Sequence, residues 1–348
     1  MINDFKIGKW TPSSRSTYIV AELSANHNEK ISTAREIIHR MKDVGADAIK
    51  LQTYTPDTMT LDCDREEFLV GRGTLWEGRK LYDLYREAQT PWEWHAELFE
   101  LANSLGLDCF STPFDKSSVD FLENLNPPAY KIASFELIDL PLIEYIASKG
   151  RPIIMSTGMG SLQEISEAVE VIQNANVPLI LLKCTSAYPS PPREMNLRTI
   201  PNLADTFGVP VGLSDHTLGI TIPIAAVTLG ASMIEKHVTL SRDMPGPDSA
   251  FSLEPNEFKM MVESIRIAEE SLGCVNYKLT EKENSSRCFR RSLFAAKDIQ
   301  KGEQFTPENV RAIRPGYGLK PKHLTSVLDR RAKKNIERGT PLNWGLIE

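Results

Sequence analysis

The sequence predicts a (β/α)8 barrel followed by a smaller β-rich domain, and three observations carry that prediction. Eight short apolar runs alternate with helix-like stretches, the pattern of a parallel sheet with crossover helices. Each run delivers a polar or ionisable side chain at or near its end: Glu22, Lys50 with Gln52, Ser111 with Thr112, Lys131 with Ser134, Thr157, Lys183, His216 and His237. In an eight-stranded barrel all strand C-termini share one face, the face that carries the active site. Finally, the 348 residues exceed the roughly 250 that one barrel uses, so the remainder needs a domain of its own.

The strands are read at 17–23, 48–53, from about 107, and at 129–134, 152–157, 179–185, 211–216 and 233–239. Helical periodicity marks 31–44, closed by Gly45, then 162–173, 197–206, 220–229 and a final barrel helix at 255–272. Between the second and third strands, 54–105 is too long for a single crossover helix and is rich in aromatic residues (Phe68, Trp76, Tyr82, Tyr85, Trp92, Trp94). Long loops on this face shape substrate pockets. Alternation along a strand puts Lys50 with Gln52, Ser214 with His216, and Glu235 with His237 on common faces. The barrel is therefore assigned to 1–275, a polar linker to 276–289 and the second domain to 290–348. Within that domain the segment 295–302 recurs faintly at 332–339, an offset of 37, which suggests two pseudo-symmetric halves.

Composition narrows the function classes. Hydrophobic content of 41% and charged content of 25% are ordinary for a globular protein. A net charge of −6 leaves no basic footprint for nucleic acid, so an anionic substrate has to be held by local lysines and arginines. Residues 1–10 lack the apolar core of a signal peptide, and apolar stretches such as 222–229 are too short to cross a bilayer. Five cysteines, an odd number without CxxC spacing, fit a reduced, cytoplasmic protein.

His216 and His237 end adjacent strands and form a natural half-site for Mn²⁺, Zn²⁺ or a similar ion, with open positions for substrate. The alternative is a structural role for each ring. Asp215 and Glu235 are candidates to orient the ring N–H groups. Lys50 and Lys131 sit in apolar strands, where a charge needs a partner. Either they pair with Glu22, Glu136 or Glu235, or with the hydroxyls of Thr112 and Ser134 they cradle a phosphate. A Schiff-base lysine is a further alternative. Glu22 is a candidate general base, a ligand for substrate hydroxyls, or simply the partner of Lys50. Cys184 reads as a small buried residue, since no histidine lies near it in the pattern. Gly158 and Gly160 form a lone Gly-x-Gly, weak as a phosphate signal, and Asp248 lies on the loop after the last strand, as a sugar ligand or a turn former.

Taken together, Ala21–His27, Lys50–Thr53, Ser111–Phe114, Tyr130–Glu136, Ser156–Met159, Gly212–His216, Ile234–His237 and Arg314–Gly316 resemble the sialic acid synthase family through both domains. The segments 52–57, 75–76, 80–85 and 90–95 look like its pseudaminic branch in particular. Two departures weaken N-acetylmannosamine as the substrate: Ser186 stands where N-acetylneuraminate synthases carry asparagine, and Arg290 where some carry phenylalanine. The resemblance implies a TIM barrel fused to an antifreeze-like (SAF) domain in a domain-swapped homodimer. It implies condensation of phosphoenolpyruvate with an amino-sugar aldehyde, here a diacetamido-trideoxy-L-altrose, assisted by a divalent metal, Mn²⁺ first and Mg²⁺ or Co²⁺ next, on His216 and His237. Phosphoenolpyruvate is then expected on Lys50, Thr112, Lys131, Ser134, Ser186 and Ser214. The sugar is expected on Glu22, Gln52, Glu136, Tyr188, Glu235 and Asp248, with the partner subunit's Arg314. Rival readings are an N-acetylneuraminate or legionaminic acid synthase, a Schiff-base aldolase, and a non-catalytic sugar binder.

Overall fold

The computed structural model describes residues 5–12, 16–71 and 73–348; the N-terminal stretch 1–4 lies outside the described residues. The chain divides into two compact units, Met1–Gly273 and Cys274–Glu348.

The first unit is the expected barrel. Strands β1 (Tyr18–Glu22), β2 (Ala48–Thr53), β3 (Asp108–Pro113), β4 (Tyr130–Ile132), β5 (Ile153–Ser156), β6 (Leu179–Cys184), β7 (Val211–Asp215) and β8 (Met233–His237) follow one another in order and close, all parallel. Closure pairs β1 with β8, setting Glu22 opposite His237, while on its other side Glu22 is opposite Lys50.

A period of two along each strand sorts the side chains. One set faces the surrounding helices and forms the large apolar layer that includes Ile19, Ile49, Leu51, Tyr130, Leu181 and Ile234. The other set faces the lumen, whose lower end is filled by Tyr18, Val20, Phe110, Ile154, Leu182 and Met233. Two residues further along the same strands, the lumen turns polar: Val20 is followed by Glu22, Ala48 by Lys50, Phe110 by Thr112, Ile154 by Ser156 and Met233 by Glu235. The apolar plug closes off the bottom, so these groups gather at the C-terminal rim, the face where barrel enzymes work.

The helix at Ile31–Asp43 and its αL terminator Gly45, at φ +91°, agree with the periodicity, as does Pro255–Leu272. Two short helices, Lys116–Glu123 and Leu140–Ala147, carry too few turns to give a clear apolar stripe; Asp115 and Asp139 cap them by accepting backbone N–H groups. Among the described residues, the 54–105 segment contains three α-helices, Pro56–Met59, Leu81–Ala88 and Trp92–Ser104, and a 3-10 turn at Glu66–Phe68. No described helix is long and apolar enough to cross a membrane, and all five cysteines are free.

In the second unit, β9 (Ser292–Ala295) pairs antiparallel with β10 (Val310–Ile313) over a core containing Leu293, Phe305, Val327 and Leu342. The faint repeat is a pseudo-dyad. Ile299 and Ile336, related by the offset, exchange backbone hydrogen bonds at 2.8 and 2.9 Å. Gly302 N–H donates to the Ala332 carbonyl, and the offset mates Gly339 and Ala295 repeat that bond. Lys301 and Arg338 N–H groups donate to Asn335 and Asp298 side chains in the same relation. The 276–289 segment, expected as a plain linker, carries a short helix at Glu281–Ser286 capped by Thr280.

Candidate active site

At the rim of the barrel the polar residues form a continuous circuit. Lys50 Nζ lies 2.7 Å from Glu22 Oε2, 3.6 Å from Glu235 Oε1 and 3.3 Å from Thr112 Oγ1. Lys131 Nζ donates to Ser156 Oγ at 2.7 Å and stands 3.8 Å from Glu235 Oε1, which also accepts from Ser214 Oγ at 3.1 Å. From Glu22 the chain continues through Gln52, whose amide donates to Glu22 Oε1 and to Ser24 Oγ, both at 2.9 Å. Ser24 donates in turn to Asp248, and Asp248 Oδ2 is 3.8 Å from His237 Nδ1. The His216 and His237 rings are 5.2 Å apart between centroids. Tyr188 covers the pair, 4.3 Å from the His216 ring.

On the far side, Gly158 N–H donates to Ser134 Oγ at 3.0 Å. A Cβ at Gly158 would lie 2.3 Å from Ser186 Oγ and 2.7 Å from Ser134 Oγ. The glycine of the weak Gly-x-Gly therefore has a definite role, which is to let two serine hydroxyls crowd against bare backbone.

Burial without water makes these groups titrate abnormally. It pushes Glu22 up to about 7; Lys50 pulls against it and Glu235 adds to it. For Glu235, burial is outweighed by Lys131 and Lys50, and its carboxyl is held below the usual range. Two carboxylates sharing one lysine are thus driven apart, one ionised and one able to exchange a proton near neutrality. Burial would lower Lys50, but Glu22 and Glu235 raise it; Lys131 is lowered by burial, Glu235 only partly offsetting it. His237 is held well below the normal imidazole range by burial and then by His216 and the lysines, so it is neutral with a lone pair to give. Burial also pushes Glu136 up to about 7.

The two imidazoles fit a divalent cation. His237 Nδ1 is buried without a hydrogen-bond partner. His216 Nδ1 lies 3.1 Å from the Thr185 carbonyl, to which it donates, so Nε2 is the ring atom that could ligate. Among the described residues no group of three His, Cys, Asp or Glu side chains is placed to hold an ion.

Several expectations change. Asp215 faces outward and pairs with Lys236 at 2.5 Å, because it is one residue out of phase with Ser214 and His216; it orients neither imidazole. Lys183 and Ser111 are out of phase in the same way. Lys183 bonds the Cys184 carbonyl and Thr185, and Ser111 bonds Thr53, so neither joins the lumen. Cys184 does have a histidine beside it: His216 Nδ1 is 3.8 Å from its Sγ. Burial raises this thiol, but His216 and Lys131 outweigh burial and bring it down to about 7. Lys50 has the carboxylate partners of the ion-pair reading, Glu22 and Glu235, and a hydroxyl neighbour in Thr112. Glu136 forms no ion pair with Lys131, and its Oε2 has no hydrogen-bond partner. Arg314 is exposed in the second unit, just after β10. Ser24, Ser156 and Phe251, whose ring is 5.0 Å from His237, were not singled out. For Ser156 the alternation already held the signal, since it continues the lumen phase of Ile154; Ser24 lies beyond the end of β1, in a tight turn at φ +47° that strand phase does not reach.

Comparison with known proteins gives a consistent result. The NeuB family matches residues 37–277 and the SAF domain residues 290–348. The chain is 50% identical over 335 residues to the pseudaminic acid synthase of Helicobacter pylori, spanning 95% of this chain and 97% of that one. It is 48% identical over 329 residues to the pseudaminic acid synthase of Campylobacter jejuni, spanning 94% and 96%. Among solved structures, N-acetylneuraminic acid (sialic acid) synthetase from Leptospira borgpetersenii serovar Hardjo-bovis, in complex with citrate, superposes with a TM-score of 0.72 at 29% identity. That alignment covers 81% of this chain and 94% of the other.

Proposed function

The chain belongs to the NeuB family, and on that premise we propose that it is a pseudaminic acid synthase, condensing phosphoenolpyruvate with a diacetamido-trideoxy-L-altrose. The observation that carries this reading is the pairing, on one barrel rim, of two buried ammonium groups flanked by hydroxyls with two facing imidazoles. An anionic three-carbon donor and an aldehyde oxygen call for those two half-sites side by side.

Lys50, Lys131, Thr112, Ser134, Ser186 and Ser214 hold the phosphate and carboxylate, through charge-assisted contacts of about 1.5–3 kcal/mol each. Gln52, Tyr188, Asp248, Glu22, Glu136 and Glu235 face the sugar, with the partner subunit's Arg314. His216 and His237 would hold the divalent metal, Mn²⁺ first and Mg²⁺ or Co²⁺ next, which when bound supplies Lewis-acid polarisation of the aldehyde. The methylene carbon of phosphoenolpyruvate attacks the open-chain aldehyde carbon, and the aldehyde oxygen takes up a proton to become a hydroxyl. Water adds to the resulting oxocarbenium carbon and gives up a proton. The tetrahedral adduct then expels inorganic phosphate, leaving a 2-oxo acid. Glu22, poised near 7, moves the proton at the sugar oxygen or the attacking water. Holding the two reactants in register is itself worth several powers of ten in rate.

A domain-swapped homodimer is supported by charge. Residues 274–348 carry 16 Lys and Arg against 8 Asp and Glu, while 1–273 carry 24 against 38. A basic unit of that size gains little from its own core and more from an acidic neighbour. A cytoplasmic setting is part of the same reading, and the five free thiols are compatible with it.

The test is phosphate release from phosphoenolpyruvate with three sugars: the diacetamido-trideoxy altrose, the diacetamido mannose analogue and N-acetylmannosamine. Each is run untreated, after EDTA, and with Mn²⁺ restored. Turnover with the altrose sugar that EDTA abolishes and Mn²⁺ restores is expected. Preference for either other sugar reassigns the substrate, and activity that survives EDTA and is trapped by borohydride points to an aldolase.

A further inference from the structure

The aromatic insertion between β2 and β3 reaches the imidazole pair through one residue. The Trp76 ring packs 5.7 Å from Tyr188, and Tyr188 in turn covers His216. The Trp76 indole N–H donates to the Pro247 carbonyl at 3.0 Å, the residue before Asp248. Trp76 is thus the point where the insertion, the loop after β6 and the loop after β8 are latched together. The two groups it holds, Tyr188 and the Asp248 loop, are both assigned to the sugar in the synthase reading. The latch holds Tyr188 by ring packing and the Asp248 loop by a hydrogen bond to backbone, so it needs the indole in particular.

We infer that Trp76 is a specificity-determining residue, an apolar wall at the sugar end of the site that favours a deoxygenated, acetamido-bearing sugar over a hydroxylated one. This rests on the synthase reading above. The half-buried Trp76 indole presents an apolar ring face with no strong hydrogen-bond acceptor, so a sugar hydroxyl pressed against it loses its water without a replacement, whereas a methyl or acetamido methyl gains contact. A single such group in an apolar pocket changes discrimination by roughly 10- to 200-fold.

The experiment compares wild type, Trp76→Ala and Trp76→Phe, measuring kcat/KM for the diacetamido-trideoxy sugar and for N-acetylmannosamine, the KM for phosphoenolpyruvate, and the melting temperature. Trp76→Ala is expected to reduce the preference for the trideoxy sugar about tenfold or more, while the KM for phosphoenolpyruvate stays within about twofold. Trp76→Phe, which keeps the apolar face but loses the bond to Pro247, is expected to fall between. An unchanged preference in folded Trp76→Ala overturns the inference, as does an equal rise in both KM values. A wild type that uses both sugars alike overturns it too while leaving the synthase reading intact. No phosphate release with either sugar removes that reading and the inference with it.

Discussion

Replacing Gly158 by alanine is the sharpest perturbation available to the phosphate side of the site. The added Cβ would sit 2.3 Å from Ser186 Oγ, 2.7 Å from Ser134 Oγ and 3.1 Å from Ser134 Cβ. Contacts that close do not occur, so the hydroxyls must retreat, Ser186 by roughly 1 Å and Ser134 by somewhat less. The Ser186 hydroxyl can swing away by rotation. Ser134 has less freedom, because its Cβ is crowded as well and its Oγ already accepts the Gly158 N–H. A displacement of about 1 Å at a positioning group costs on the order of 10²-fold in rate, and losing one charge-assisted contact about 1.5–3 kcal/mol. The KM for phosphoenolpyruvate should therefore rise roughly 10- to 100-fold while the KM for the sugar changes little. Steady-state phosphate release with each substrate varied in turn reads this directly, with thermal unfolding as the check on folding. Adding Ser186→Ala makes room beside the methyl without returning a hydroxyl, so it should not restore binding. A folded Gly158→Ala enzyme with an unaltered KM for phosphoenolpyruvate would show that these serines do not hold the donor.

Further outcomes are specific to other groups. With Glu22 raised to about 7, a role as base makes kcat rise with pH through that value. Glu22→Gln should lower kcat by about 10²-fold or more and abolish that acidic limb; a limb that persists assigns it to another group. His27 and His95 are both depressed to about 4 by burial, against about 6.5 in the unfolded chain. Between those values the unfolded state takes up protons that the folded state does not, so their stabilisation is complete above about 6.5 and is lost as pH falls toward 4. The loss is about 3 kcal/mol for each, read by urea denaturation across that window. His95→Gln should flatten the curve relative to wild type, and a parallel curve would mean His95 is not kept neutral. If the partner subunit's Arg314 completes the site, mixing Arg314→Ala with His237→Ala chains should regain partial activity. No recovery in verified mixed dimers would count against the exchange.

The legible part of the site follows from strand phase. Lys50 with Gln52 and Glu235 with His237 lie where alternation puts them, because a two-residue repeat needs no tertiary information. Phase also holds the signal for Ser156 and Cys184, which continue Ile154 and Leu182 along their strands; Ser24 escapes it because the chain leaves the strand after Glu22. The same rule excludes Lys183 and Asp215, which stand next to lumen residues in the chain but are out of phase with them. The short helices after β3 and β4 escape because eight residues give barely two turns of periodicity.

The chain alone yields the barrel, its second domain, the pseudo-dyad offset and the set of polar residues at the strand ends. All of these are encoded in local periodicity and in residue type. Pairings across the lumen belong to the folded molecule: Glu22 takes Lys50, Glu235 is shared by two lysines, His216 meets Cys184, and Trp76 reaches Tyr188 from an insertion more than a hundred residues away. Such contacts depend on which strands are neighbours, on the register of the closed sheet and on where loops cross its rim. The pKa of each group depends on them in turn, since burial and the nearest charge are properties of the assembled rim and of no single segment.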